Sequence, residues 1–211
     1  MNFFAYRTVR FLLLPIIYVA DYLQTNYTKY FTPMNLGPVT TKSWSTMINN
    51  FFKKKDFVLD YGCGVGFFCK LFNHKKYLGI DINKNFINNA KKINRKYIFA
   101  SFDSKEIKNY NINSILINNV IHHLSDKQVK DSFRFLRKHS KKKSKILIVE
   151  PLLPTNFFSL QFFLKALDIG NYIRSKKQYL KILKREIIIK GSYKRQFGIG
   201  TAIIFHGYLR S

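Results

Sequence analysis

The feature that most constrains the fold is a glycine-rich run at residues 58–66, Val-Leu-Asp-Tyr-Gly-Cys-Gly-Val-Gly. An acid ends a short apolar strand, and three glycines follow at alternate positions. Glycine adopts positive φ at little cost and lets a ligand approach the backbone closely. The run predicts a tight turn from a buried strand into a helix whose unpaired N–H groups face a ligand. A dinucleotide fingerprint would place its third glycine at position 67, where this chain has Phe67, so hydride transfer is disfavoured.

Short β-branched runs alternate with longer mixed segments along most of the chain. This alternation is typical of βαβ units and a parallel sheet, and helices are predicted to fill the gaps. The last two strands are predicted to be antiparallel, because the short connection through Gly198 and Gly200 is too short for a parallel crossover. The predicted strands are residues 57–60, 77–81, 97–100, 114–118, 145–150, 185–190 and 201–209.

The clearest helix start is Ser125, because Gln128 stands three residues later as in a capping box. Val129, Phe133 and Leu136 then give one apolar face. The helix is predicted to end in the basic stretch that follows residue 137, where cations suit the negative end of the helix dipole.

Two apolar segments lie outside the predicted strands. Residues 1–39 are predicted to be an N-terminal apolar helical extension of a domain that spans residues 40–211, with a helical cap insertion at about residues 151–180. The apolar run at residues 11–20 resembles the front of a secretory signal, but Pro15 and Tyr18 fit such a signal poorly. It is also shorter than the roughly 20 residues that a spanning helix needs. We expect residues 1–31 and 151–167 to cover a substrate pocket and to present an apolar face to a membrane or a hydrophobic substrate, with packing on the sheet as the alternative.

The net charge of +26 is extreme for 211 residues. Such a field attracts nucleic acid, anionic lipid or acidic substrates without choosing among them. Skewed usage of Lys, Asn, Ile, Phe and Tyr would produce the same excess without selection for a basic surface. Cys63 and Cys69 have no zinc-like spacing to other ligands, so no metal is expected, and a reducing compartment is favoured. The predicted location is cytoplasmic, with membrane association as an alternative.

Three more segments follow the glycine-rich run in a set order. They are Tyr77-Leu78-Gly79-Ile80-Asp81, then Ser101-Phe102-Asp103, then residues 114–124, Ser-Ile-Leu-Ile-Asn-Asn-Val-Ile-His-His-Leu. Together the four segments resemble the class I S-adenosylmethionine-dependent methyltransferases, in particular the small-molecule, type 11-like branch. The resemblance implies an α/β Rossmann-like sheet of seven strands in the order 3-2-1-4-5-7-6, with strand 7 antiparallel and helices on both faces. One departure is Asn113, where the family often has an acid.

The resemblance also implies S-adenosylmethionine as cofactor and assigns roles around it. Asp81 would bind the ribose hydroxyls, and Asp103 would meet the adenine amino group. The alternatives are that Asp81 caps a helix starting at Asn83 and that Asp103 caps residues 104–109. The cofactor-binding residues implied in full are Asp60, Gly62, Cys63, Gly64, Gly66, Asp81, Ile82, Asp103 and Asn118.

Three further residues are candidates on the acceptor side. His122 and His123 would orient or deprotonate an acceptor, the alternative being hydrogen bonds to the backbone. Arg174 would anchor an acidic group of the acceptor, the alternative being a surface salt bridge.

The leading functional hypothesis is methyl transfer to a small-molecule or lipid-like acceptor. Residues 118–121, Asn-Asn-Val-Ile, lack the Pro-Pro-aromatic signature of enzymes that methylate the amino groups of nucleic-acid bases. One alternative is an RNA or protein methyltransferase that uses the basic surface. Another is a non-catalytic protein that binds the cofactor as a partner subunit. Two other partners are expected. One is a membrane surface, contacted peripherally through residues 1–31, and the other is polyanions, bound nonspecifically.

Overall fold

The structure, a computed structural model, describes Pro15 and residues 38–153, 171–197 and 200–211. Its strands form one sheet in the order β3-β2-β1-β4-β5-β7-β6. Strands β1 to β5 are mutually parallel, and β7 runs antiparallel to both β5 and β6. The predicted order and the antiparallel strand are therefore confirmed. The strands are β1 (Val58–Tyr61), β2 (Tyr77–Asp81), β3 (Ile98–Ser101), β4 (Ser114–Asn118), β5 (Lys145–Pro151), β6 (Ile187–Phe197) and β7 (Gly200–Leu209).

Four α-helices lie among the described residues: α1 (Pro38–Phe51), α2 (Lys84–Ile93), α3 (Asp126–His139) and α4 (Lys176–Glu186). The prediction that helices fill every gap between strands is wrong after β1 and after β3, where the chain forms short 3-10 turns instead. The physical reason after β1 is spacing, because the glycine turn leaves only residues 67–76 before β2. The 3-10 turns are Cys69–Leu71, His74–Lys76, Lys105–Asn109 and Ile121–His123.

Strand residues alternate between two apolar layers on opposite faces of the sheet. In β1, Val58 packs with the buried face of α1, which contributes Trp44 and Ile48. The next residue, Leu59, packs on the other face with residues of α3 and α4, among them Phe133. Helix α2 covers the β2 and β3 side of the first face through Ile87 and Ala90, which contact Tyr77 and Phe99. Helices thus cover both faces of the sheet, as predicted.

Helix α3 begins after Ser125, and both hydrogen bonds of the predicted capping box are present. Its three predicted apolar residues are buried, and it ends at His139 within the basic stretch. The predicted strand at residues 185–190 begins too early, because α4 continues to Glu186. Tyr179, Leu183 and Glu186 recur at helical spacing and are buried on one face, so the helical pattern determines this boundary.

The N-terminal extension at residues 1–39 and most of the cap insertion at residues 151–180 lie outside the described residues. Their predicted roles as a pocket roof or membrane contact stay predictions. Within the part of the chain that the structure describes, no helix is both long and apolar enough to cross a membrane.

Candidate functional site

The glycine turn after β1 has the left-handed backbone that the sequence predicts. The φ angles of Gly62, Gly64 and Gly66 are +75°, +55° and +76°. The turn is fixed to the neighbouring strand, because the backbone N–H groups of Gly62 and Cys63 both donate to Ile80 O, at 2.8 and 3.0 Å. The predicted helix with free N–H groups does not follow this turn, since only the 3-10 turn Cys69–Leu71 is present.

Asp81 ends β2 and connects that strand to the glycine turn. Gly64 N donates to its Oδ2 at 2.9 Å, and Asn83 N donates to its Oδ1 at 2.8 Å. Asn83 itself caps α2, accepting from the N–H groups of residues 85 and 86, so the capping alternative for Asp81 is wrong. Burial raises the pKa of Asp81, and the hydrogen bonds from Asn83 and Gly64 oppose that rise. A carboxylate has about four acceptor sites, and the N–H groups of Asn83, Gly64 and Ile82 together leave capacity for a ligand.

Asp60 lies beneath the turn with only 2% of its surface exposed. Its carboxylate accepts from the Tyr77 hydroxyl at 2.7 Å. Burial raises the pKa of Asp60 to about 7, against the lowering effect of the Tyr77 hydrogen bond. Cys63 is also buried, and burial raises the pKa of its thiol well above the usual value. Both side chains are buried against the β2 side of the sheet, where each lies near Tyr77, and direct cofactor contact by either stays a prediction.

Two implied cofactor residues are exposed at the same edge of the sheet. Ser101, at the end of β3, lies beside Asp81 in the sheet register. The nearby Asp103 carboxylate accepts from the Ser101 hydroxyl, which lowers the pKa of Asp103. Ser104 rather than Asp103 caps the 3-10 turn that follows, so the capping alternative for Asp103 is also wrong. Ile82, directly after Asp81, is 83% exposed.

Asn118 ends β4 at the same edge, and its side chain carries an unsatisfied group. Its Oδ1 is buried and has no hydrogen-bond partner among the described residues. Buried polar atoms without a partner are rare, and a bound ligand is one way to satisfy them. A Cβ built on Gly64 meets nothing within 4 Å, so open space lies beside the glycine turn. An acceptor group without a partner and an open backbone approach both fit a bound cofactor.

Sequence reasoning missed Glu150, which is the penultimate residue of β5 and is fully buried. Its Oε1 accepts from the N–H groups of Val120 and Ile121, at 2.9 and 2.7 Å. Its Oε2 lies 3.1 Å from the backbone N and 2.8 Å from Nδ1 of His122. The signal in the sequence was an acid that ends an apolar strand, the same pattern as Asp60 and Asp81.

The two histidines after β4 have different surroundings. His122 is 3% exposed and contacts Glu150, whereas His123 is exposed. Their rings lie 4.0 Å apart between centroids. A carboxylate only accepts hydrogen bonds, so Glu150 fixes a proton on His122 Nδ1. The His122 ring thus contacts a carboxylate, not the backbone that the alternative predicts, and a catalytic role for either histidine stays a prediction.

Arg174 lies beside this loop and is 6% exposed. Its guanidinium donates to the carbonyl oxygens of Ile121, Tyr172 and Leu124 at 2.7 to 3.0 Å. It also pairs with the exposed Asp126 at 2.8 Å. These bonds involve both terminal nitrogens of the side chain, so Arg174 holds the loop, and acceptor binding by Arg174 stays a prediction.

A family model described as a methyltransferase domain matches residues 52–187. The chain belongs to this family. The predicted class, an S-adenosylmethionine-dependent methyltransferase with a Rossmann-like fold, is confirmed. No curated protein sequence matches the chain. The described residues contain no group of three or more His, Cys, Asp or Glu side chains suited to a metal ion.

Solved structures share the fold, and two of the three that follow are of proteins named as methyltransferases. The PH0226 protein of Pyrococcus horikoshii OT3 has a TM-score of 0.65 at 16% identity, over 90% of this chain and 99% of that one. A SAM-dependent methyltransferase of Methanosarcina mazei has a TM-score of 0.62 at 17% identity, over 84% and 100%. The magnesium protoporphyrin IX methyltransferase of Synechocystis PCC 6803, solved with bound SAH, has a TM-score of 0.59 at 14% identity, over 92% and 98%.

Proposed function

We propose that this chain transfers the methyl group of S-adenosylmethionine to a small-molecule or lipid-like acceptor at the carboxyl edge of β1 to β4. The observation that carries the proposal is the hydrogen bond from Gly64 N to Asp81 Oδ2, 2.9 Å long. The resemblance implies that the glycine turn and Asp81, the acid that ends β2, bind the same cofactor. This bond joins them into one site, as binding of a single cofactor requires.

The residues at this edge match the chemical groups of the cofactor. Asp81 would accept from the ribose hydroxyls with its remaining acceptor capacity. Ile82 would cover a face of the adenine ring, and Asp103 would accept from the adenine amino group. The buried Oδ1 of Asn118 would accept from the ammonium group of the methionine part, and Gly64 would let that part approach the backbone. When bound, the cofactor would supply a methyl group on a positively charged sulfur, for in-line attack by the acceptor on the methyl carbon as the carbon–sulfur bond breaks and S-adenosylhomocysteine leaves.

On the acceptor side, we assign the catalytic role to His123 rather than His122. His122 is only 3% exposed, so its ring is shielded from an acceptor, whereas His123 is exposed. A histidine removes a proton from a hydroxyl acceptor, and an acceptor that is already deprotonated needs no base. The name of the Synechocystis relative specifies a porphyrin acceptor, which supports a small organic molecule as the acceptor class here.

Calorimetric titration of the purified protein with S-adenosylmethionine and S-adenosylhomocysteine tests cofactor binding. We expect both to bind, and no heat from either at millimolar concentration would refute the proposal. Incubation of cell extracts with the protein and an isotopically labelled methyl donor, followed by mass spectrometry, identifies the acceptor. We expect label in a low-mass or lipid fraction, and label confined to RNA or protein would contradict the proposed acceptor class.

A further inference from the structure

The loop at residues 119–124, which follows β4, is held on its N–H side by one carboxylate. Glu150 accepts from three consecutive backbone N–H groups, those of residues 120, 121 and 122, and also contacts the His122 ring. A buried carboxylate is costly unless its acceptor sites are satisfied, and four partners satisfy it here. Loss of one oxygen acceptor at this position would leave buried donors unpaired.

The same loop is held on its carbonyl side by residues 172–174. Arg174 donates hydrogen bonds to the carbonyl oxygens of Ile121 and Leu124. Tyr172 N donates to the carbonyl oxygen of His122 at 2.8 Å. The loop lacks regular structure apart from one 3-10 turn, and Asn119 has a φ of +56°. Asn119 N donates to Val149 O, and the N–H groups of His123 and Leu124 bond within the turn. The N–H groups of residues 120–122 and the carbonyl oxygens of Ile121 and Leu124 instead have side-chain partners, so the loop conformation depends in large part on Glu150 and Arg174.

This loop forms one wall of the proposed cofactor site. A Cβ built on Gly62 would lie 2.4 Å from Cγ2 of Val120, so the loop packs directly against the glycine turn. Val120 N is one of the groups that Glu150 binds. A movement of the loop would therefore move the Val120 side chain relative to the turn and alter the space beside it.

We propose that Glu150 and Arg174 are positioning residues for the cofactor site, although neither touches the glycine turn. Together they fix residues 119–124 so that Val120 completes the wall beside Gly62 and the Asn118 amide stays aimed at the cofactor. This inference rests on the proposed function, because it concerns the same site. It predicts that the affinity for cofactor depends on two side chains that make no contact with the cofactor.

The test measures S-adenosylhomocysteine binding by calorimetry, at a temperature well below every variant's melting point. Glu150→Gln keeps the size of the side chain but replaces one carboxylate oxygen with an NH₂ group. That group donates hydrogen bonds, so it cannot accept from the N–H groups of the loop. We expect its dissociation constant to rise at least about tenfold, as small displacements of a binding group commonly do. The matched control is Glu186→Gln, which changes a glutamate that is 7% exposed and bound to Arg137 at 2.8 Å. We expect that control to lower the melting temperature without changing the dissociation constant.

Arg174→Lys provides a second variant in case Glu150→Gln does not fold. Lysine cannot supply the fork of donors that reaches several carbonyl groups at once, so binding should again weaken. Its control is Arg134→Lys on α3, where the arginine side chain is 67% exposed. The ¹⁵N signals of the His122 ring add a structural readout, since the proton on Nδ1 should shift to Nε2 in Glu150→Gln.

The outcomes separate the two proposals. If the native chain does not bind S-adenosylhomocysteine, the proposed function fails. If the native chain binds and both Glu150→Gln and Arg174→Lys bind equally well, only the positioning role fails. Equal weakening in Glu186→Gln would also overturn the positioning role, because the effect would then follow from stability alone.

Discussion

Asp60 is buried beneath the glycine turn, and burial raises its pKa from 3.8 to about 7. The other titratable groups acting on it are the Tyr77 hydroxyl and Asp81. When the pKa of a carboxyl group is higher in the folded chain than in the unfolded chain, protonation of that group stabilises the folded state. That contribution is complete below about pH 4 and is lost as the pH rises through about 7, and it is worth on the order of a few kcal/mol.

Asp60→Asn should therefore flatten the pH dependence of stability between pH 4 and 7, since the amide keeps an acceptor for Tyr77 but does not ionise. Thermal melts across this range measure the effect. Asp131→Asn on α3, where the carboxylate is exposed and paired with Arg134, should keep the native slope. An Asp60→Asn slope equal to the native one would contradict the raised pKa.

Asp81→Asn should weaken binding of S-adenosylhomocysteine, because an amide offers fewer acceptor sites to the ribose hydroxyls. The expected loss is about 1 to 3 kcal/mol in binding free energy, measured by calorimetry. The same substitution at Asp131 again serves as the control. Unchanged affinity in Asp81→Asn would remove Asp81 from the ribose site.

The candidate site was predictable where its chemistry is local in sequence. The glycines, Asp81 and Asn118 follow strands that the apolar pattern predicts, so their common edge could be inferred. The roles of Glu150 and Arg174 could not be inferred, because their partners lie about 30 and about 50 residues away in the chain. Such contacts become visible only when the packing of α4 and the loop after β4 is known.

At the scale of elements, α3 and α4 begin in the same way. Ser125 with Gln128 and Ser175 with Gln178 form the two capping boxes, each with both hydrogen bonds present. The sequence predicts only the box at Ser125. The predicted strand at residues 185–190 overlaps the end of α4, and no helix start is predicted at Ser175. The glycine turn is predicted correctly from sequence, but the helix expected after it is absent, since only residues 67–76 separate the turn from β2.

Ser125→Ala should lower the free energy of unfolding by about 1 kcal/mol, because the N–H group of Gln128 loses its acceptor. Ser125→Asp should retain most of the stability, since aspartate also caps helices and suits the positive end of the dipole. Urea denaturation measures both. Equal losses in the two variants would show that the hydroxyl acts through packing rather than as a cap.

At the scale of the whole molecule, the charge of +26 is spread over many elements. One concentration lies in the cleft between α3 and α4, where Lys130, Arg137, Lys181, Arg185 and Arg210 line the surface with Asp126 and Glu186. Another lies at the end of α2, at Lys91 and Lys92. We expect polyanion binding to follow the total charge rather than either cluster.

Binding of a single-stranded oligonucleotide should therefore fade as salt rises, and charge reversal should weaken it similarly at either cluster. Lys181→Glu with Arg185→Glu and Lys91→Glu with Lys92→Glu make the same change in net charge. Fluorescence anisotropy over a salt series compares them with the native chain. A loss confined to one pair, or a salt-resistant complex with one RNA, would indicate a specific site.

Strand β7 lies between β5 and β6 in the sheet, although it follows both in the chain. During synthesis, one edge of β5 therefore has no partner until residues 200–209 have left the ribosome. At about 5 to 20 residues per second, that interval lasts several seconds. The exposed edge reads Lys-Ile-Leu-Ile-Val-Glu-Pro, and an apolar edge strand readily pairs with other chains. The nascent chain thus passes through an aggregation-prone interval whose length is set by translation speed, and slower translation extends its exposure to neighbouring chains.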